Sequence, residues 1–285
     1  MILSFHPCLD ADAHILLGDR ALSTADIRLI ACAEAVILPQ GCRPDLYEIC
    51  TRYATRTFPR YDIRFRYPGK TGQSLLFEQL EVPHPRTLRW TGASAFRTRN
   101  PDPARPPHPF PFFIKDDKSH EAQGVHFIRD EKDLDEVIFR LLSMESSGAS
   151  GFVTQDYIPC GGNVVRAVII GKKTLAYWKR PARPGQIVTT LAGNAFIDHT
   201  WKPQLLKKAE QVLKDFSQKT GINLAAIDVV FPMHSKEPGP LFLEINYFFG
   251  RRGLGGSRRY YGMLYEAVRN WLMEQELDPE AVRLV

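Results

Sequence analysis

The stretch from Asn100 to Phe113, NPDPARPPHPFPFF, does most to limit the folds open to this chain. Its prolines fix the backbone and remove N–H donors, which forbids a regular helix or a central strand. It reads as a linker or surface loop leading into a new domain. The chain has 285 residues, enough for one large or two ordinary domains. The expected division is residues 1–95 and residues 96–285, and an apolar content of 44% supports an ordinary core.

Before the proline stretch, short apolar runs (ILSFHP, HILLG, AVILP) alternate with helix candidates. Ser23 or Thr24 can cap a helix over STADIRLIACAEA, and RPDLYEICTRYA is a second helix. Strands alternating with helices predict a small α/β domain. No GxGxxG follows the first strand, so a dinucleotide fingerprint is absent. His6 and Cys8 close the first strand, where α/β folds bind ligands. A lone His or Cys is, however, more often structural.

Several function classes are unsupported. No apolar run approaches the length of a membrane span. The N-terminus lacks a basic region followed by a long apolar stretch, so the expected location is cytoplasmic. The five cysteines are scattered without a CxxC pair, which points to reduced thiols rather than a zinc site or disulfide framework. The formal charge of +5 is mild, and the basic residues fall in small groups rather than an aromatic-laced stripe, so no nucleic-acid partner is expected.

Beyond the proline stretch, two apolar runs carry acids. LFLEIN reads as a mostly buried strand with Glu244 and Asn246 on one face. Asp228 lies in AAIDVVF, a second strand-like run. If the strands pair, three oxygen donors converge, a set suited to Mg²⁺ and its phosphate ligands. The alternative is polar groups capping strand ends. Buried carboxylates are costly unless paired or metal-bound, which favours the first reading. Upstream of both runs lie EKDLDEVIFRLL and WKPQLLKKAEQVLKDFSQKTG as amphipathic helices, and VVRAVIIGKKTLAYWKR as a hairpin turning near Gly171.

IKDDKSHEAQGV places Lys115 at the end of one strand and Gly124 before the next. Such a strand–loop–strand can fold over phosphates, although one Lys and one Gly occur in many hairpins. The order of parts is more telling. It runs from the lysine loop to Gln155-Asp156-Tyr157-Ile158, Arg166 in a hairpin, Asp228, then Glu244-x-Asn246. This series resembles the ATP-grasp superfamily, nearest the branch of glutathione synthetase and the ribosomal-protein glutamate ligases. Upstream, Lys70 followed by Leu80, Val82-Pro83, Pro85 and Thr87 is similar to that family's GIPxPxT passage, with Glu81 in place of a glycine.

The resemblance implies a fold of class α/β (α+β). A Rossmann-like pre-ATP-grasp domain would precede a two-lobed ATP-grasp domain, with a small lobe over about 105–160 and a large lobe over about 161–285. Lys70 and Lys115 would hold the α- and β-phosphates of ATP. Residues 119 to 125, with Ser119, Ala122 and Gly124, would form the lid; the family has more glycines there. Gln155, Asp156, Tyr157 and Ile158 would line the adenine pocket, with backbone groups of Asp156 and Ile158 on the base edge. Asp228, Glu244 and Asn246 would bind two Mg²⁺ ions, with Mn²⁺ an alternative. Arg166 would stabilise the γ-phosphate or an acyl phosphate, and Lys179 and Arg180 end a strand facing the nucleotide. Residues 188–190 read Val-Thr-Thr where the glutamate ligases carry Arg-Ser-Asn, which argues against a glutamate substrate.

The loop RRGLGGSRRYYG follows the metal strand directly, and its Arg251, Arg252 and Arg258 are candidates for gripping an anionic substrate. The expected activity is an ATP- and Mg-dependent ligase joining a small carboxylate to an amine through an acyl phosphate. A kinase on the same fold, or a nucleotide-binding scaffold without turnover, is the alternative. Homologous branches often form homodimers.

Overall fold

The computed structural model describes residues 1–54, 56–117, 124–145, 151–183, 185–187 and 195–285. The N-terminal unit comprises β1 (Ile2–Ser4), β2 (Leu9–Asp10), β3 (Ala13–His14), α1 (Thr24–Cys32), β4 (Ala35–Ile37), α2 (Pro44–Tyr53), β5 (Thr57–Phe58), α3 (Asp62–Arg66) and α4 (Gly69–Gln79). Its sheet is parallel, in the order β3-β1-β4-β5. Ser23 caps α1, and the Asp26 carboxylate answers its backbone N–H, closing a capping box.

The small lobe contains β6 (Thr87–Trp90), α5 (Ala93–Arg99), β7 (Phe112–Asp116), β8 (Val125–Ile128), α6 (Glu131–Glu145) and β9 (Phe152–Asp156). Its sheet is antiparallel, ordered β6-β9-β7-β8. Trp90 and Phe96 share its core with Phe112 and Phe152, so residues 87–99 pack with this lobe.

The proline-rich stretch packs against this sheet. His108 is 1% exposed, with Nδ1 at 2.5 Å from Asp156 Oδ1 and Nε2 at 2.8 Å from Thr154 Oγ1. Phe110 stacks on Phe112. The prolines dictate the local backbone, but a buried imidazole and an aromatic ring fasten the segment to β7 and β9.

The large lobe holds β10 (Val164–Ile170), β11 (Lys173–Arg180), β12 (Phe196–Asp198), α7 (Pro203–Thr220), β13 (Leu224–Val230), β14 (Leu241–Asn246), α8 (Ser257–Glu274) and β15 (Arg283–Leu284). The last strand pairs with β2, tying this lobe to the N-terminal unit. The five-stranded sheet is antiparallel, ordered β12-β11-β10-β13-β14. Val165, Ala167 and Ile169 join Leu206, Leu213 and Phe216 of α7 in one core. Val168, Ile170, Leu224 and Ala226 join Tyr260, Leu264 and Val268 of α8 in another. The period of two thus separates the faces, and Arg166 and Asp228 fall on the α8 face.

Candidate nucleotide and metal site

Cross-strand register assembles the site. Arg166 on β10 stands opposite Asp228 on β13, and Asp228 stands opposite Glu244 on β14. Ala226 pairs with Asn246, so Glu244 and Asn246 continue the same face. Arg166 grips Asp228 with two bonds, Nε to Oδ1 at 2.9 Å and Nη2 to Oδ2 at 2.8 Å. Lys179 Nζ donates to Oδ2 at 2.7 Å from β11. All three side chains are largely buried. Burial alone would raise the Asp228 carboxyl, but the charges and hydrogen bonds of Arg166 and Lys179 outweigh it and hold the group below the usual carboxylate range. Burial lowers Lys179 despite Asp228.

Glu244 is half-buried, and Asn246 Nδ2 donates to its Oε1 at 3.1 Å. β14 is an edge strand of its sheet, and a side chain extends it. Gln73 on α4 donates through Nε2 to the Ile245 carbonyl at 2.9 Å and accepts the Ile245 N–H through Oε1 at 2.8 Å. Both orphan backbone groups are thereby satisfied. The same helix carries Lys70, so Gln73 fixes that lysine relative to the strand bearing Glu244 and Asn246.

Lys70 and Lys115 line a cleft together with Gln73, Thr87, Gln155 and Leu243. Lys115 Nζ donates to Gln155 Oε1 at 2.6 Å, and Gln155 Nε2 donates to Thr87 Oγ1 at 2.9 Å. Lys70 Nζ donates to the Asp116 carbonyl at 3.0 Å. The start of α4 is held by Asp117, whose Oδ1 accepts from the Thr71 N–H at 2.7 Å. Gly69 adopts φ +68°, and a Cβ there would collide with the Asp117 carboxylate, so only glycine fits.

Burial lowers the Lys115 pKa to about 8, opposed by Glu244 and assisted by Lys70. As pH rises through that value the ammonium is lost, and with it a positive charge in the cleft. Affinity for a polyanion, probed with inorganic triphosphate, should therefore fall by roughly tenfold above pH 8, with proton uptake on binding. Calorimetry in buffers of different ionisation enthalpy checks this. The sign for stability is opposite. An unfolded lysine holds its proton to about 10.4, so between about pH 8 and that value the folded state gains stability as pH rises.

The other expected site residues are placed less centrally. Arg180 pairs with Asp198 at 2.9 Å and stacks 4.3 Å from the Trp201 ring centroid, away from the Asp228 cluster. The Asp156 N–H donates to the Arg86 carbonyl and its carboxylate meets His108, while Tyr157 packs edge-on against Phe113 and Phe127. Ile158 packs beside Cys160, Val164 and Val230. Gly124 accepts the Asp116 N–H through its carbonyl, closing the β7–β8 ladder. Ser119, Ala122 and residues 188–190 lie outside the described residues. Arg252 and Arg258 are exposed, whereas Arg251 is half-buried.

The sequence reading missed Gln73, Asp117 and His108. Gln73 follows Lys70 by three residues, a spacing that puts both on one helix face. Asp117 follows Lys115 by two, which was visible in IKDD. Nothing in the proline stretch marked His108 as buried.

The donor set fits a hard divalent cation. Two carboxylates and one amide oxygen share a face at adjacent ladder positions, and each carboxylate has more acceptor sites than the protein uses. Lys70, Lys115, Arg166 and Lys179 feel Glu244, Asp228 or both, so four cations surround two acids. That excess suits a polyanion. Among the described residues there is no group of three or more His, Cys, Asp and Glu side chains able to hold a metal alone.

No model of a known protein family matches the chain. A probable alpha-L-glutamate ligase 2 of Hahella chejuensis is 26% identical over 147 residues, covering 50% of this chain and 44% of that protein. A probable alpha-L-glutamate ligase of Azotobacter vinelandii is 28% identical over 149 residues, covering 50% and 44%. The chain thus spans less than half the length of these curated relatives. Among solved structures, a RimK domain protein ATP-grasp from Sphaerobacter thermophilus superposes with TM-score 0.57 at 14% identity, covering 92% of this chain and 97% of that one. D-alanine–D-alanine ligase from Bacillus anthracis, complexed with ATP, gives 0.58 at 13% identity over 87% and 84%. Among the described residues, no helix is long and apolar enough to cross a membrane.

Proposed function

We propose that this chain, a member of the ATP-grasp superfamily, is an ATP- and Mg-dependent ligase that joins a small carboxylate to an amine. The observation that carries this reading is the single sheet face on which Asp228, Glu244 and Asn246 are ringed by Arg166, Lys179, Lys115 and Lys70. Phosphoryl transfer needs positioning and charge neutralisation more than covalent help from the protein. Asp228, Glu244 and Asn246 would hold Mg²⁺, which would supply charge neutralisation for the phosphates.

Lys70 and Lys115 would hold the phosphates from the cleft side, and Gln155 keeps the Lys115 ammonium aimed. Arg166, locked by two bonds to Asp228, would present its remaining N–H groups to the transferring phosphoryl group. The substrate carboxylate takes the γ-phosphoryl group and ADP leaves. An amine then attacks the acyl carbon, phosphate departs, and the amine gives up a proton. Gln155 to Ile158 would receive the adenine, with the Asp156 carbonyl rather than its committed N–H facing the base.

Phosphorus NMR of the protein with Mg-ATP and pooled amino acids and small carboxylates tests this. The expected result is ADP and free phosphate that require two pool components together. A new phosphoester signal would indicate a kinase instead. Bound ATP with no turnover across the pool would overturn the reading for small-molecule substrates.

A further inference from the structure

The proline-rich stretch carries a buried titratable group that phosphoryl transfer does not use. His108 sits on the core face of the small-lobe sheet, behind the cleft. Register puts Phe112, Thr154 and Asp156 on that face and Lys115, Val153 and Gln155 on the cleft face. The His108 ring stacks on Phe112 with centroids 5.4 Å apart. Its nitrogens reach the residues on either side of Gln155 in β9, Nδ1 meeting Asp156 and Nε2 meeting Thr154.

Donor capacity sets the direction of each bond in this chain. A carboxylate only accepts, so Nδ1 carries the proton and donates to Asp156 Oδ1. Nε2 then accepts from the Thr154 hydroxyl, whose oxygen accepts the Trp90 indole N–H at 3.0 Å. The run from indole to hydroxyl to imidazole to carboxylate is complete with a neutral ring. Burial favours that form and lowers the His108 pKa, although Asp156 opposes it. Arg86 adds a second clasp. Its Nη1 donates to the Pro107 carbonyl at 2.6 Å, and its own carbonyl accepts the Asp156 N–H at 3.0 Å. The stretch is thus tied to Asp156 twice.

The two bonds of His108 do different work. Thr154 lies mid-strand between Leu88 and Ile114, and the ladders alone would hold it. Asp156 is the last residue of β9, after which Tyr157 and Ile158 leave the sheet. Whatever fixes the Asp156 side chain therefore fixes the direction of that exit. Gln155 is held separately on the cleft face by Lys115 and Thr87.

Resting on the nucleotide reading above, we infer that His108 is a positioning residue for the nucleotide base. By holding the Asp156 carboxylate on the rear face it sets the path of Tyr157 and Ile158, within the segment that would receive the adenine. The phosphate end, held by Lys70 and Lys115, does not depend on it. A base pocket built on a segment leaving a sheet needs such support from behind, because small displacements there cost affinity.

The test is calorimetric titration of ATP and of inorganic triphosphate into the full chain, in the wild type, His108→Asn, His108→Gln and His108→Phe. An asparagine amide reaches the Nδ1 position and can donate to Asp156, whereas a glutamine carbonyl reaches the Nε2 position and can accept from Thr154. Both lose the ring, so they differ in which bond survives. Phenylalanine keeps the stack on Phe112 and loses both bonds. The wild type should bind ATP more tightly than triphosphate, and His108→Asn should keep that preference within about threefold. His108→Gln and His108→Phe should each weaken ATP about tenfold or more, with triphosphate affinity within about twofold in all. A purely structural His108 would make Asn and Gln fall together and would carry triphosphate down with ATP. Either that pattern, or unchanged ATP affinity in Gln and Phe, overturns the inference. Far-ultraviolet circular dichroism confirms folding; if His108→Phe does not fold, the Asn and Gln pair decides. A wild type that binds ATP no more tightly than triphosphate would instead refute the adenine reading on which the inference stands.

Discussion

Asp228→Ala is expected to cost about 3–5 kcal/mol of stability, the signature of a buried ion pair broken from one side. The substitution leaves the Arg166 guanidinium and Lys179 ammonium buried without their counter-charge. Urea denaturation followed by circular dichroism reads the loss. Replacing the whole group tells whether the cost is uncompensated charge or lost attraction. Asp228→Leu combined with Arg166→Met and Lys179→Met should return stability to near the wild-type value while abolishing turnover. A loss below about 1 kcal/mol for Asp228→Ala would mean the triad is solvated rather than buried. The acid limb carries the same information. Because the folded Asp228 carboxyl lies below the usual range, its stabilisation is complete above the unfolded value of about 3.9 and is lost as pH falls below it. Asp228→Ala should flatten the stability curve in that acid range.

The legible parts of this chain are those that periodicity writes along a single element. The capped α1, the β10–β11 hairpin with Gly171 at φ +63°, and α7 ending at Gly221 all follow from local patterns. The convergence of Asp228 and Glu244 was readable because both lie in apolar strands whose pairing puts alternate residues on one face. What stayed hidden depends on partners distant in sequence. Gln73 clamps Ile245 across 172 positions, and Gln40 meets Tyr260 across 220. Neither residue breaks a local pattern. The packing of the proline stretch stayed hidden for a related reason, since proline content reports backbone restriction and not that His108 would be buried against Thr154 and Asp156. Lys179 and Arg180 end one strand, and alternation turns them to opposite faces, Lys179 toward Asp228 and Arg180 toward Asp198.

Glu244→Gln should leave the fold intact and lower Mg-dependent turnover by about 10²-fold or more, roughly 2.7 kcal/mol in the barrier. The two side chains have the same size, and a glutamine carbonyl can still accept from Asn246 Nδ2, so stability should change by less than about 0.5 kcal/mol. The change removes the half-buried charge felt by Lys70, Lys115, Arg166 and Lys179. The remaining cluster is more positive, so ATP without metal should bind as tightly as before or more tightly. These two effects move in opposite directions, and that separates a metal ligand from a structural acid. A purely structural Glu244 would weaken nucleotide binding and turnover together. Titrating Mg²⁺ at fixed ATP in both proteins decides it. The variant should need far more Mg²⁺ for half-maximal turnover, while its metal-free ATP affinity holds. Wild-type turnover at the wild-type Mg²⁺ requirement would remove Glu244 from the metal site.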